Sequence, residues 1–452
     1  MATVAEQLAG WGQALTPADV PAPVRRAATR HLLDGLGCAL AALRGGNASP
    51  ALTVARSLGG PPEARLPGSH DRIGAVAAAL GTGALVHALD FDDTHAGGLV
   101  HATTVVLPVV LAVGQQVGAT GEQALLAAVV GYEAICRLGA GSPHGFHARG
   151  LHATGVCGPL AAAAVAARLL GLSAQTTTHA LGIAGSSAAG LLEFLETGAS
   201  TKQLHPGSAA AAGILAARLA AAGGTGPASV VEGRYGLYAG LSARPADPAS
   251  VVADLGSRWE TTCITIKPYP ACQLLHATLD AVATLGLRAP DVLDVRAQVH
   301  PDALDVVCEP RSAKTAPRTP YDAKFSLPWS VAALLVDGEV GVDTYSAASL
   351  ARPEVAALAA RVHVEVVPSP GAAADAPGRV AVRTADGREL VGEVAASSGG
   401  PRSPLTDDAL AAKFSHNVGD HDLAAALQPL VLDLAALPTL EPLLDLVAGA
   451  AS

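Results

Sequence analysis

Long apolar segments rich in alanine and glycine, with very few aromatic side chains, constrain the fold of this chain more than any other feature. Half of the 452 residues are hydrophobic, but only 3% are aromatic. Up to about residue 260 the apolar residues recur at helical spacing, and clusters of Gly, Pro, Ser and Thr separate the segments. Small side chains favour closely packed helices, so we expect a helical architecture here instead of a β-sandwich.

The sequence pattern changes after about residue 290. Three segments then alternate apolar and polar residues with the period of a β-strand: residues 294–300, 361–367 and 379–394. We expect them to form a small antiparallel sheet, with helices over residues 326–338 and 346–362 between them. A linker follows at residues 397–404, and helical spacing returns with Thr406 as a candidate N-cap. The predicted fold class is mainly α with an inserted α+β domain.

Charge and cysteine content exclude several classes of protein. The formal net charge of −10 argues against a phosphate-backbone partner, so we expect no nucleic acid. The six cysteines are scattered without a C-x-x-C pair, which is typical of a reducing compartment. Residues 1–20 lack the basic start and apolar run of a signal peptide, and we expect a cytoplasmic protein. Residues 73–89 approach transmembrane length but include His87 and lead into Asp90, which favours a buried helix and no membrane partner.

The segment "HALDFDDTHAGGLVHATTVVLP", residues 87–108, gathers three aspartates and three histidines in a chain that is only 15% charged. Within it, Asp90 and Thr94 are four residues apart and would share a face if the segment is helical. One interpretation of the aspartates is a Mg²⁺ site, but hard cations need several oxygen ligands and only one acidic cluster is visible. We therefore predict no metal. The other interpretation is structural, with at least one carboxylate accepting hydrogen bonds from backbone N–H groups.

Two histidines and two lysines lie in turn motifs further along the chain. His101 in "GLVHATT" and His152 in "GLHATG" have nearly the same surroundings in sequence. Lysine occurs only five times, yet Lys202 and Lys267 both fall in turns instead of on charged helix faces. For Lys267, an ordinary exposed lysine remains the alternative.

Three further side chains lie in the same turns as these lysines: His205, Tyr269 and Cys272. The segments that follow His152 and His205 both have helical spacing, and the N–H groups at a helix N-terminus favour anions. Cys272 is also a candidate nucleophile. The chain contains no Gly-rich nucleotide-binding motif and no serine-hydrolase motif.

Six ordered segments resemble the MmgE/PrpD family, which contains 2-methylcitrate dehydratases, cis-aconitate decarboxylases and an iminodisuccinate epimerase. They are "RHLLDGLGCALAALRG" (30–45), "HALDFDDTH" (87–95), "GLHATGVCGPLAAAAVAARLLGL" (150–172), "STKQLHPGSAAAAGILAARLA" (200–220), "IKPYPACQLLHATLDA" (266–281) and "DAKFSLPWSVAALLVDG" (322–338). The resemblance implies a large all-helical domain built from both chain ends, residues 1–263 and 403–452, and a smaller α+β lid domain, residues 264–402. It also implies a homodimer without metal or organic cofactor.

The resemblance further implies an active site between the domains. The positions that match the site of the decarboxylase members are Asp90, Thr94, His101, His152, Lys202 and Lys267. Two positions differ from the animal decarboxylase: Cys272 stands where it has a histidine, as in dehydratase members, and Trp329 stands where it has a tyrosine. Both differences argue against decarboxylation of cis-aconitate.

The reactions of this family share one demand, because each places negative charge on a carbon next to a carboxylate. Lys202 and Lys267 would hold the substrate carboxylates, while His101 and His152, with ordinary pKa values of about 6.5, would transfer protons. The residues assigned to substrate binding or orientation are Asp90, Thr94, His205, Tyr269 and Cys272.

From these assignments we predict a dehydratase-type lyase that removes water from a small hydroxylated di- or tricarboxylate. An epimerase, isomerase or decarboxylase of a similar acid is the alternative within the family. A non-catalytic carboxylate-binding or scaffold protein is the alternative outside it.

Overall fold

The computed structural model describes residues 2–450, and the chain is mainly α-helical, at 59% helix, with a small mixed β-sheet. It divides into two compact units. The first, which we call the helical unit, comprises Met1–Leu192, Thr201–Ile264 and Thr406–Ser452. The second, which we call the α+β unit, comprises Glu193–Ser200 and Thr265–Leu405.

The helical unit contains most of the long helices of the chain. Its α-helices are Val4–Ala14, Ala22–Arg44, Ser49–Leu58, Ala75–His87, Thr103–Val117, Gly121–Ala140, Gly145–Ala148, Ala153–Leu169, Ala174–Ala184, His205–Ala221, Leu237–Leu241, Pro248–Val252, Asp407–Val418, His421–Leu432 and Glu441–Gly449. The predicted helices after His152 and His205 are confirmed, because His152 is the N-cap of one and His205 is the first residue of the other. Thr406 is confirmed as an N-cap, since its side chain accepts a hydrogen bond from the N–H of Ala409.

Glycine lets three helices of this unit approach each other closely. A Cβ on Gly83 of helix Ala75–His87 would lie 2.7 Å from the Cα of Gly207 in helix His205–Ala221. A Cβ on Gly213 of the same helix would overlap the Cβ of Ala162 in helix Ala153–Leu169. The close contacts bring together the three helix ends that carry His87, His152 and His205. The small residues at the contacts therefore position the polar groups described below.

One helix among the described residues, Gly121–Ala140, is long and apolar enough to cross a membrane, with a mean hydropathy of 1.2. Of its apolar window, 89% is buried inside the protein, as in a core helix. The other apolar segment, residues 73–89, forms the shorter helix Ala75–His87, which is also almost wholly buried.

The α+β unit contains a four-stranded sheet, with the strands in the spatial order Val362–Val366, Val292–Val299, Gly378–Thr384 and Glu389–Val394. The period-two segments therefore form strands as predicted, and the last two strands pair as a hairpin around a turn in which Gly387 has φ of +86°. The prediction of a purely antiparallel sheet is wrong, because the first two strands are parallel. A parallel pair needs a long crossover, and helix Leu327–Asp337 lies in that connection.

Helices His276–Ala283 and Leu327–Asp337 pack against the sheet within the same unit. The other α-helices of the unit are Phe194–Thr197, Arg311–Thr315, Pro320–Ala323, Ala347–Leu350 and Pro353–Ala359. Trp329 is buried in the apolar core between sheet and helices. The secondary structure also includes short 3₁₀ turns and four two-residue strands: Ala64–Arg65, Arg72–Ile73, Thr94–His95 and Ile264–Thr265.

The close helix contact predicts opposite effects for two Gly→Ala substitutions. Gly213→Ala should lower the free energy of unfolding by about 1–3 kcal/mol, because the new methyl group collides with the neighbouring helix. Gly10→Ala, in helix Val4–Ala14, places its methyl group where no other atom lies within 4 Å, and it should raise the free energy of unfolding by about 0.5–1 kcal/mol. Urea unfolding of both variants checks this, and equal shifts in both would contradict the packing argument.

Candidate active site

Six of the nine predicted site residues come together at helix ends within the helical unit: Asp90, Thr94, His101, His152, Lys202 and His205. They are joined by His87, which was not predicted as a site residue. Most of these side chains are almost completely removed from solvent, while His205 is half-buried. The cluster is therefore a buried group of imidazoles and carboxylates around one lysine.

Asp90 lies in a turn and not in a helix. Helix Ala75–His87 ends three residues earlier, and Asp90 has φ of +51° in the left-handed region, which is uncommon for any residue but glycine. The segment from Asp90 to Thr94 is therefore not helical, and the condition under which these two residues would share a helix face is not met. Such a backbone conformation persists only where the surroundings enforce it, and it is concentrated at functional sites.

Lys202 links Asp90 to His101. Its ammonium donates a hydrogen bond of 2.9 Å to Asp90 Oδ1 and lies 3.3 Å from His101 Nε2. The 3₁₀ turn Thr201–Leu204 that carries Lys202 is attached to the end of helix Ala75–His87 through Gln203, whose side chain donates to the carbonyl of Ala88 at 2.9 Å. A fixed positive charge thus lies among buried groups, where electrostatic interactions are stronger than in water.

The hydrogen bonds of His101 determine its tautomer. Its Nδ1 lies 2.9 Å from the carbonyl oxygen of Asp93, which can only accept, so Nδ1 carries the proton. Thr94 Oγ1 lies 3.2 Å from the same nitrogen. Nε2 is left with its lone pair toward the ammonium of Lys202. Neutral His101 is therefore arranged as a proton acceptor at Nε2.

His87 forms a buried pair with Asp92. Its Nδ1 lies 2.9 and 2.8 Å from the two carboxylate oxygens of Asp92, and its Nε2 has no hydrogen-bond partner among the described residues. The ring packs edge-on against His101, with centroids 4.5 Å apart, and stacks on His152 at 5.6 Å. One sequence signal pointed to His87: it is the only histidine in an otherwise apolar helix that leads into the aspartate cluster.

His152 and His205 contact each other directly. Their Nδ1 atoms are 3.2 Å apart, and Nε2 of His152 is buried without a hydrogen-bond partner among the described residues. The ring of His152 also lies 5.7 Å from that of His101 and 6.2 Å from that of His147. His147 belongs to the short helix Gly145–Ala148 and was not predicted as part of the site.

Burial is the main cause of the pKa shifts in this cluster. It lowers the pKa of His87, although the Asp92 carboxylate partly opposes the shift. Burial, with a smaller contribution from Lys202, holds the pKa of His152 well below its ordinary value. Burial likewise lowers the pKa of His205 to about 4 and that of His147 to about 3. The assumption of an ordinary pKa for His152 is therefore wrong, and its imidazole is neutral at pH 7.

Further charged side chains hold in place the turn that contains Asp90. The carboxylate of Asp93 accepts hydrogen bonds from the backbone N–H of Thr103, at 3.0 Å, and from its hydroxyl, at 2.5 Å. This confirms that at least one aspartate of the cluster has a structural role. Lys413 pairs with Asp34 at 2.5 Å and donates to the carbonyl of Phe91 at 3.1 Å. The turn is thus held by the helices Ala22–Arg44 and Asp407–Val418, from opposite ends of the chain.

A metal-ligating arrangement is also present. His87, Asp90, Asp92 and His101 each offer one ligand atom, all within 4.8 Å of one another. Because the ammonium of Lys202 already contacts both Asp90 and His101, a divalent ion bound there would be repelled by a positive charge at close range. These four side chains are therefore better arranged to contact the ammonium of Lys202 than to bind a metal ion. A metal-free site stays our prediction.

The three remaining predicted residues lie in the α+β unit. Lys267 is completely buried. Tyr269 donates from its hydroxyl to Asp280 Oδ1 at 2.7 Å, and burial raises the pKa of this phenol, with Asp280 adding to the shift. Cys272 is half-buried, and its backbone N–H donates to the carbonyl of Lys324 at 3.0 Å. A catalytic role for Lys267 stays a prediction.

Comparison with protein families gives two matches along the chain. Residues 6–248 match the MmgE/PrpD N-terminal domain. Residues 269–428 match the MmgE/PrpD C-terminal domain. Together the two matches cover both units of the fold.

Curated relatives of similar length have related sequences. A cis-aconitate decarboxylase of Aspergillus terreus (strain NIH 2624 / FGSC A1156) is 30% identical, over 98% of this chain and 96% of its own length. A cis-aconitate decarboxylase-like protein, oryM, of Aspergillus oryzae is 30% identical over 99% of this chain and 97% of its own. The human cis-aconitate decarboxylase is 28% identical over 80% of this chain and 75% of its own.

The lowered histidine pKa values predict that acid destabilises the protein. An unfolded chain takes up a proton on each of these histidines near pH 6.5, whereas the folded chain does not. Their stabilising contribution is therefore complete above about pH 6.5 and is lost as the pH falls, by up to about 1.4 kcal/mol per pH unit for each group. Asp34 opposes this, because burial raises its pKa to about 6, but it is one group against four.

We expect the urea midpoint to fall between pH 7.5 and pH 5, and His152→Gln to make this fall shallower because one buried imidazole is removed. Urea titrations of both proteins at three pH values provide the measurement. A midpoint that stays level or rises on acidification is incompatible with the neutral, buried cluster.

Proposed function

The chain belongs to the MmgE/PrpD family, and we propose that it is a lyase that removes CO₂ from a small unsaturated polycarboxylate of the cis-aconitate type. Relatives named as cis-aconitate decarboxylases align with nearly its whole length, which supports this reaction class over the dehydration that the sequence alone favoured. The observation that carries the proposal is the buried ammonium of Lys202 between Asp90 and His101.

Lys202 has the properties that an anionic substrate requires. A buried ammonium can hold a carboxylate and stabilise the negative charge that develops beside it when a neighbouring bond breaks. In decarboxylation the C–C bond to the departing carboxylate breaks, CO₂ leaves, and the electron pair spreads over the adjacent double bond and its conjugated carboxylate. Asp90 keeps the ammonium in position through the 2.9 Å hydrogen bond.

The imidazoles supply the proton that completes the reaction. Decarboxylation leaves an electron pair on carbon, and one proton must be added there in each turnover. His152 is suited to deliver it, because its buried Nε2 has no hydrogen-bond partner among the described residues and lies beside the other rings. His101, with its lone pair at Nε2, is suited to accept a proton or a substrate hydrogen bond.

Dehydration of a hydroxylated di- or tricarboxylate is the second candidate. It needs one base to remove a proton next to a carboxylate and one acid for the departing hydroxyl. His101 and His152 differ in their hydrogen bonds as such a pair requires, because the Nδ1 of His101 faces a carbonyl and that of His152 faces another imidazole. An epimerase using the same groups would leave the substrate mass unchanged, and a non-catalytic carboxylate-binding protein would bind without turnover.

We also propose that the protein acts as a homodimer.

The test is incubation with cis-aconitate and with hydroxylated tricarboxylates, followed by mass spectrometry of the products. We expect cis-aconitate to lose the mass of CO₂, and we expect exhaustive EDTA treatment to leave the rate unchanged, because Lys202 supplies the positive charge. Loss of the mass of water from a hydroxy acid would instead support the dehydratase. If EDTA abolishes activity and Mg²⁺ or Zn²⁺ restores it, the donor set at His87, Asp90, Asp92 and His101 is a metal site.

Lys202→Met should reduce kcat/KM roughly 10- to 100-fold, because it removes a charge-assisted contact worth about 1.5–3 kcal/mol. The substitution should also destabilise the protein, because it leaves the buried carboxylate of Asp90 without its cation. Such a change costs about 3–5 kcal/mol.

The double variant Lys202→Met, Asp90→Asn separates the two effects. Asparagine tolerates the left-handed backbone of this position and carries no charge, so it should restore most of the stability but none of the activity. Urea unfolding and steady-state kinetics are measured on the same samples. Recovery of activity in the double variant would mean that Lys202 serves only to neutralise Asp90.

A further inference from the structure

Phe91 lies in the middle of the turn that carries part of the candidate site. The residue before it, Asp90, binds Lys202. The residue after it, Asp92, binds His87. Phe91 has no polar side-chain atom, so only its backbone and its ring can hold it in place. A change in its conformation would move both neighbouring carboxylates, because they are attached to the two planar peptide groups of Phe91.

Lys413 holds Phe91 in two ways. Its ammonium donates a hydrogen bond of 3.1 Å to the carbonyl of Phe91, and it lies 3.8 Å from the centroid of the Phe91 ring. The second contact is a cation–π interaction, which is strengthened when the groups are shielded from water. The side chain of Lys413 is only 8% exposed, and Phe91 is buried. One ammonium therefore fixes both the peptide group and the ring of this residue.

The position of Lys413 is itself fixed by Asp34. Its Nζ lies 2.5 Å from Oδ1 of Asp34, which is buried in helix Ala22–Arg44. Removing such a pair from water costs free energy, and apolar side chains of similar volume are often as stabilising. An apolar side chain at position 413 would fill the space, but it could not donate a hydrogen bond to the turn. The ion pair is therefore better explained by the contact with Phe91 than by packing of the helices.

The backbone next to Phe91 requires a restraint of this kind. Asp90 has φ of +51°, and a residue other than glycine keeps this conformation only where its surroundings enforce it. Lys202 enforces it through the carboxylate of Asp90. Lys413 enforces it through the next residue, because the carbonyl of Phe91 cannot rotate without losing its hydrogen bond. Without Lys413 the turn is able to relax, and Asp90 loses its alignment with Lys202.

We propose that Lys413 is a positioning residue of the candidate site, which holds Phe91 and thereby keeps Asp90 against Lys202 and Asp92 against His87. Lys413 acts through the turn and does not touch the substrate. Its effect on catalysis rests on the proposed decarboxylation, whereas its effect on the turn does not. A residue near the C-terminal end of the chain thus controls the geometry of a site built mainly from residues before position 206.

The double variant Lys413→Met, Asp34→Leu tests the proposal by kinetics. It replaces both charges of the buried pair by apolar side chains, so no uncompensated charge is left to unfold the protein. We expect the urea midpoint to stay near that of the wild type. We expect kcat/KM for cis-aconitate to fall roughly 10- to 100-fold, because a displacement of about 1 Å in an active site can cost about 10²-fold. An unchanged kcat/KM would overturn the proposal.

Phe414→Leu is the matched control in the same helix. Phe414 is buried against helix Ala22–Arg44, where a Cβ on Gly37 would lie 2.9 Å from its ring. The substitution weakens the packing of the same two helices and leaves the ammonium of Lys413 in place. We expect a lower urea midpoint with kcat/KM unchanged. An equal loss of kcat/KM in Phe414→Leu would overturn the proposal, because any loosening of these helices would then have the same effect.

A measurement without substrate separates the positioning role from the proposed reaction. In protein with ¹⁵N-labelled histidine, NMR reports which ring nitrogen of each imidazole carries the proton. In the wild type we expect Nδ1 to be protonated in His87, where it faces the Asp92 carboxylate, and in His101, where it faces the carbonyl of Asp93. The double variant should change the signals of both histidines, and Phe414→Leu should change neither.

Unchanged histidine signals in the double variant would mean that the turn keeps its place without Lys413, and the proposal would be wrong whatever the substrate. Changed signals, in a protein whose wild type releases no CO₂ from cis-aconitate, would refute the proposed reaction and support the positioning role.

Discussion

The ion pair between Lys202 and Asp90 is the interaction on which the candidate site depends. Both groups are buried, so their removal from water costs free energy that a 2.9 Å contact only partly returns. Asp90 also adopts an unfavourable left-handed backbone to make the contact. Replacing a buried ion pair by apolar side chains of similar volume is often neutral or stabilising. The arrangement is therefore better explained by the fixed cation that the proposed carboxylate site requires than by the stability of the fold.

Small residues determine how many imidazoles can surround that cation. A high content of alanine and glycine can result from the base composition of a genome alone, and it would then say little about function. In the structure, glycine at positions 83 and 207 allows two helices to meet nearly backbone to backbone. Because the ends of these helices carry His87 and His205, any side chain at the crossing would push the two histidines apart. The glycine content of these helices therefore contributes directly to the placement of the histidines in the candidate site.

Local patterns predicted the local structure, and they failed where the answer depended on distant contacts. Helical spacing located the helices that follow His152 and His205, and the period of two located the strands. The parallel pairing of Val292–Val299 with Val362–Val366 depends on the path of the chain between them, which periodicity does not contain. His87 was missed for a similar reason, since a histidine in an apolar helix gains chemical meaning only from neighbours that are remote in sequence. The tautomer of His101 and the low pKa of His152 depend on contacts and burial in the folded chain.

Burial strengthens the electrostatic interactions of this site and also limits its exchange of protons with solvent. It strengthens the electrostatic effect of Lys202 and keeps His87 and His152 neutral, but it also separates them from protons in solvent. Dehydration removes one proton and adds one to the departing hydroxide, so protons can be returned within the site. Decarboxylation takes up one proton in every turnover, and a buried acid must then be refilled from outside.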